Sequence, residues 1–586
     1  MGARRAARGG DPMTKHGPGR WARFSAPGRL TPLAGVVLAA MVLSAAGDVP
    51  AAEPGDSAGT GSPATAEPLF DGLGGQTRKV TTRSPEAQRY FDQGLAFMYA
   101  FNHDEAIRSF RRAAELDPAC AMAQWGIAIA YGPHINNPVV PPDRAKAAFA
   151  AVTAAKALAG GASPVEQALI RAAATRYADP PPEDRKALEQ AYADAMRQVW
   201  KEYPDDGDVG ALFAESLADL RPWDLWTEDG RPQPGTEELL ATLETVMARH
   251  PRQLLALHLY IHAVEASPHP EKADAAADAL RDLQLGLGHL VHMPSHVDVR
   301  RGRWAEAVTA NAKAIEADRA YRERSPDQGF YRLYMAHNHH MLAYGAMMSG
   351  RSQLALDTIQ TMATGIPLEF VKDNPWADGF LAMPLEVMMR FGKWDDILAQ
   401  PDFPDYAPIS RALRLYARGV ARAAKGDVPG AKAEEAAFAE ARTRVPKDAI
   451  FGNNTAADIL GVAESLVKGE ILYREGKVDD GIAALREAVA REDKLRYDEP
   501  PDWIQPVRHA LGAALLGAGR FGEAEAVFRE DLARLPENGW GLYGLHRALQ
   551  MQKKDAESAA AEKQFDTVWR EADIRIKSPC LCLPGV

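Results

Sequence analysis

A short pattern of small and aromatic residues returns along most of this chain and decides what it can fold into. From Tyr90 to Pro118 the pattern is complete: Gly94, Phe97, Ala106, Phe110, Ala113 and Pro118 take small, aromatic, small, aromatic, small and proline positions. Small residues let two helices approach closely, Phe97 and Phe110 fill the space between them, and Pro118 ends the second helix. The frame returns at Gly302-Arg303-Trp304 with Ala307 and Ala314, at Gly350 with Ala355, and at Gly392-Lys393-Trp394. It returns again at Gly426 with Ala431 and at Gly476 with Leu485 and Ala488. A last clear unit carries Gly512, Gly519-Arg520-Phe521, Ala524, Phe528 and Pro536. Each turn glycine supplies the positive φ that ends a first helix. Such a unit cannot bury its apolar face alone and stacks on its neighbours, so 586 residues need no single large core.

The frame resembles the tetratricopeptide repeat family, whose units are helix–turn–helix hairpins of about 34 residues. The resemblance implies an all-α fold, a right-handed superhelical solenoid whose first helices line a concave surface that takes a protein or peptide partner. Two stretches, His292-Met293-Pro294-Ser295-His296 and Pro536-Glu537-Asn538-Gly539-Trp540, are similar to ones in exported bacterial proteins of this repeat type. That likeness spans roughly Tyr90 to Leu549 and implies no established activity.

The organisation follows from where the frame is kept. Residues 69–139 are expected to form N-terminal repeat units, 251–400 histidine-rich units, 401–572 C-terminal units and 573–586 a tail. Residues 140–250 keep the helical period but lose the frame, with loops at Pro180-Pro181-Pro182 and from Arg221 to Pro234. Trp223 and Trp226 in the second loop either lip a groove or pack the loop onto the solenoid.

The first 46 residues read as an export signal. Arg4, Arg5, Arg8, Lys15, Arg20, Arg23 and Arg29 precede an apolar run from Leu33 to Ala46 that ends in Ser44-Ala45-Ala46. Fourteen apolar residues fall short of the roughly twenty a membrane span needs. No membrane span is expected after cleavage, although an uncleaved leader would be an N-terminal anchor, and the mature chain would be periplasmic or extracellular. Residues 47–68, mostly Ala, Gly, Pro, Ser and Thr, read as a disordered linker. Without residues 1–46 the balance is 68 − 7 = 61 basic against 79 − 1 = 78 acidic side chains, a net of −17. Nucleic acid is excluded as a partner on that balance, because its phosphates demand clustered Lys and Arg.

Three cysteines make no disulfide framework. Cys120 sits in an apolar helical stretch and is expected to be buried. Cys580 and Cys582 could oxidise or bind a soft metal, although a disulfide across one intervening residue is awkward.

Ten of the fifteen histidines fall between His250 and His340, where an even spread would put about two. In Leu254–Ser267, His258, His262 and Glu265 lie at i, i+4 and i+7, along one helical stripe. Two imidazoles and a carboxylate on one face suit a divalent ion, zinc, copper(II) or iron. The residue after His258 is Leu259 where a zinc protease would carry Glu, so that mechanism is not supported. The next segment carries His289, His292 and His296, with Pro294 predicted to kink its helix. These six residues are the candidate metal ligands. Candidate ligand-binding residues are His337, Asn338, His339 and His340, at the start of another first helix, and His134 with Asn136 on a Gly-Pro loop. Glu386 and Arg390 come one unit later and could join.

No Gly-x-Ser-x-Gly elbow, phosphate-binding loop or dinucleotide fingerprint occurs. The reading is a repeat scaffold binding a protein, peptide or ligand in its groove, with a His/Glu metal pocket. The alternative is a metal-dependent hydrolase or oxygenase on the same cluster, with Glu265 or Asp298 as base. A third has no metal, the histidines bonding an extended peptide.

Overall fold

The computed structural model describes residues 67–283 and 286–583. The export signal expected over 1–46 and all but the last two residues of the 47–68 linker lie outside them. Among the described residues no helix is long and apolar enough to cross a membrane.

The chain is all-α, a stack of helix–turn–helix units with, among the described residues, one hairpin of two-residue strands, Ile450–Phe451 against Asn454–Thr455. All six turn glycines read from the repeat frame stand at positive φ, from 64° at Gly392 to 82° at Gly426 and Gly476. Each separates a first helix from its second, as Gly476 separates Ala456–Arg474 from Val478–Glu492. Two turns reach the same conformation without glycine, at Phe101 (φ 58°) and Lys553 (φ 58°).

The small positions do what close packing requires. A Cβ added to Gly94 or to Gly126 would come within 2.7 Å of the Phe110 ring. One aromatic therefore fills a gap between three helices: Pro85–Tyr99, His103–Leu116 and Ala121–Ala130. Over 140–250 the helices persist without the frame. There Arg176, buried, joins their ends by ion pairs to Glu189 (2.7 Å) and Asp219 (2.5 Å).

Among the described residues two large hydrophobic cores run through the stack, beside a small third one around Val371 and Ala407. The first reaches from Val80 to Met335, the second from Val299 to Leu583, and they overlap in sequence only where the histidine-rich units lie. The helix Pro294–Arg300 feeds both, Val297 into the first and Val299 into the second.

Contacts also join units remote in sequence. Glu105 accepts hydrogen bonds from Tyr321 (2.8 Å) and Ser325 (2.7 Å). The Trp304 indole donates to the Pro536 carbonyl (3.0 Å), and that of Trp540 to Met347 (2.9 Å). Asp573 accepts from the backbone of Ser352 and Gln353. These returns tie the middle units to both the N-terminal and the C-terminal units. The tail at 573–583 is packed, not free.

Candidate metal centre

Three segments build the site. The helix Leu254–Glu265 is capped by the Gln253 side chain, which accepts from Ala256 N–H (2.6 Å), and each of its residues is buried. The second segment is two short helices, Gly288–His292 and Pro294–Arg300, broken at Met293 as the proline predicts. Pro294 has no N–H to give Leu290, and the turn tightens until His296 N–H donates to Met293 C=O (3.2 Å). The third is the helix Arg332–Met348, which carries His337.

Ligand atoms of three groups close to within 4.8 Å of one another: His258, His262 and His289; His292, His296 and His337; and His262, Glu265 and His296. All six expected metal residues are thus brought together. His337, expected as a ligand-binding residue, joins them.

Hydrogen bonds fix the orientation of four of the rings. Backbone, carboxylate and amide oxygens only accept, so the imidazole nitrogen facing one carries the proton. His258 Nδ1–H donates to the Tyr99 carbonyl (2.8 Å) and His262 Nδ1–H to Glu265 Oε1 (2.9 Å). His296 Nδ1–H donates to Glu265 Oε2 (2.5 Å) and His292 Nδ1–H to Asn311 Oδ1 (2.7 Å). The Asn311 amide is itself oriented, its NH2 donating to Ala307 C=O (2.8 Å). Every one of these rings therefore presents Nε2 to the interior. There His258 Nε2 meets His289 Nε2 at 3.0 Å and His292 Nε2 meets His296 Nε2 at 2.7 Å. His262 Nε2 and His289 Nδ1 are buried without a hydrogen-bond partner.

The electrostatics follow from burial. Burial would raise the Glu265 carboxyl, but His296 and His262 bring it down to about 2, a carboxylate at all ordinary pH. Burial opposes protonation of His296, yet Glu265, Glu499 and Asp498 around it carry its pKa above the usual value. Desolvation holds His258, His289, His292 and His337 well below theirs, so these rings are neutral. Burial lifts Glu499 to about 7, and it accepts from the Tyr497 hydroxyl (2.5 Å). Arg300 donates to the Glu265 carbonyl (2.6 Å) and lies 5.4 Å from the Tyr497 ring.

Aromatic rings wall the cluster. Phe101 lies 4.3 Å from His258 and 4.4 Å from His134, Tyr334 lies 4.4 Å from His289, and Trp223 lies 5.6 Å from His262. Trp226 donates its indole N–H to the Ala263 carbonyl (2.8 Å). The tryptophan loop thus packs onto the helix that bears His262.

The other expected residues stand apart from the nitrogen cluster. Asn338 donates to Asp318 (2.7 Å) and His339 Nδ1–H to Met335 C=O (2.9 Å). His340 is buried toward Phe380, and burial lowers its pKa to about 4. His134 and Asn136 are buried at the edge of the site, the His134 ring packing at a tilt against Phe101 and His103 (4.4 Å each). Asp298 is taken by Arg281 and Arg303 and is no base for the cluster. Glu386 and Arg390 lie in another group, where Arg390 donates to His509 Nδ1 (2.8 Å). An extended peptide would not reach the rings, since His258 and His292 are 0% exposed.

Sequence reasoning missed His103, Asn311, the Tyr99 carbonyl, Tyr497 and Glu499. Phe101 carried a signal: the first complete repeat has no glycine at its turn.

At the C-terminus Cys580 and Cys582 are joined as a disulfide, the geometry thought awkward from sequence. It closes only a three-residue loop and staples no two elements. Both are buried beside Glu470, whose Oε2 finds no partner among the described residues. Cys120 is buried and free, as expected.

No family model matches the chain, and neither does any curated protein. Among solved structures it is similar to the Cut9–Hcn1 hetero-tetramer of the APC/C, at 15% identity and TM-score 0.29, covering 81% of this chain and 79% of that one. It is also similar to the human IFIT1 dimer with PPP-AAAA, at 12% identity and TM-score 0.30, covering 84% and 92%. For yeast Tom70 the identity is 11%, the TM-score 0.25 and the coverage 82% and 90%. Likenesses this loose leave the reading of the site to its own geometry.

Proposed function

We propose that this chain is a helical-repeat metalloprotein that holds a divalent first-row transition ion (zinc, copper(II) or iron) in the buried histidine cluster. One observation carries the reading. Four imidazoles give their Nδ1–H to fixed oxygen acceptors and turn Nε2 inward, the arrangement by which proteins orient histidine for metals. Two nitrogens at 2.0–2.1 Å from one ion lie about 2.9–3.3 Å apart, so the facing pairs are within a few tenths of an ångström of that spacing. Neutral imidazole suits zinc, copper and iron alike. The ligand set is imidazole, and Glu265 is the group that orients two of its rings, His262 and His296.

The repeat array is proposed to serve as a scaffold for a protein or peptide partner, the role its family resemblance implies. Burial keeps the rings out of that contact. Export rests on residues 1–46 alone. A second reading, hydrolase or oxygenase chemistry, is favoured by the three-nitrogen groups, which leave a coordination position open for water or oxygen.

The test is the metal content of the tag-free chain by elemental mass spectrometry, beside the His258/His262/His292/His296 quadruple alanine variant. The expected result is at least one ion per chain, absent from the variant. An empty parent protein after reconstitution with zinc(II), copper(II) and iron(II) would overturn the proposal.

A further inference from the structure

The histidines are more numerous than one ion needs, and they are grouped. The groups of ligand atoms that close to 4.8 Å hold three residues each. Two are purely imidazole and share no residue: His258, His262 and His289, and His292, His296 and His337. Each has one pair of Nε2 atoms face to face, at 3.0 Å in the first and 2.7 Å in the second. In the first, His262 Nε2 is buried with no partner.

Glu265 stands between the groups. Its Oε1 accepts from His262 Nδ1–H of the first and its Oε2 from His296 Nδ1–H of the second. Both oxygens are spent on orienting rings, and the two rings so oriented turn Nε2 away from the carboxylate. Rings facing each other across this divide come within 5.4 Å (His262 and His296) and 5.8 Å (His289 and His292).

From this arrangement, and resting on the metal reading above, we propose that the site is dinuclear. Two first-row transition ions are held, each by three imidazoles, with the Glu265 carboxylate as the common holder of both sets.

The test uses the full tag-free chain, zinc(II) as the probe, and ions counted per chain after equilibrium dialysis. Two ions are expected in the parent, one in His289→Ala and one in His337→Ala. One ion in the parent, lost altogether in either variant, would overturn the dinuclear site and leave the metalloprotein standing. No ion in the parent would overturn both. Copper(II) supplies a measurement that needs no variant to fold. The electron paramagnetic resonance spectrum should show dipolar broadening at two equivalents and none at half an equivalent. Two equivalents giving only isolated, unbroadened copper(II) signals would overturn the proposal.

Discussion

Phe101 shows how residue-level rules yield to a site. Its backbone sits at φ 58°, a conformation that costs a side-chain-bearing residue on the order of 1–2 kcal/mol, at the turn where other units place glycine. The ring it thereby holds packs on His134 and His258. Glu386 is a second rule-breaker, a carboxyl buried without a side-chain partner and pushed by burial to about 8. The unfolded chain releases that proton near 4.5 and the folded chain near 8. Its contribution therefore favours the folded state fully below pH 4.5 and is lost as pH rises to about 8. Glu386→Gln should gain in melting temperature over the parent across pH 5–8, with the difference level above that range. A difference constant with pH would show an ordinary carboxyl. At this scale the clustering of the histidines was legible, because i, i+4 spacing places rings on one helix face whatever the rest of the fold does. Their Nδ1 acceptors were not: Tyr99 C=O and Asn311 come from other elements, and a backbone carbonyl leaves no mark in a sequence.

The helix broken at Met293 sets the spacing between His292 and His296. Two rings at i and i+4 of a regular helix stand one turn apart, and here a tightened turn brings their Nε2 atoms to 2.7 Å. Pro294→Ala restores a donor to Leu290 but frees the unfolded chain, so the stability of the metal-free protein should change by no more than about 1 kcal/mol. Affinity for zinc(II) should fall about tenfold or more, as when a group that positions a metal ligand is lost. Unchanged affinity by competition with a chelator would show that the break is incidental to the ring spacing. Break and turns alike were legible at this scale. Proline and glycine act through their own backbone, so Pro294 and the six glycines at positive φ needed no tertiary context. The loop Tyr497–Asp502 was illegible for the opposite reason. Its acids reach His296 only because units some 200 residues apart in the chain pack together.

Over the whole molecule, the returns at Trp304 and Trp540 separate this chain from a stack in which each unit meets only its neighbours. The Trp540 ring is fully buried, 4.4 Å from the Arg390 guanidinium and 5.3 Å from Trp569, and its indole N–H ends on Met347. Trp540→Ala should cost about 3–5 kcal/mol. Amide hydrogen exchange should quicken in the distant helix Arg332–Met348 as well as in the local unit. Exchange confined to residues 539–568 would mean that the return carries no energy. These returns were not legible in the sequence: repeat periodicity encodes contacts between neighbours and says nothing of where the ends go.

These returns have a consequence in time. The rings of residues 258–337 meet Phe101 from one end of the described chain and Asp498 and Glu499 from the other. For an ion held as proposed, entry and exit would require those returns to lift, so residence would be set by how often the repeats part rather than by the strength of a bond to nitrogen. A chelator would strip such a protein at a rate independent of chelator concentration. The metal found in it would be a record of the solution in which the chain closed, kept long after that solution had changed.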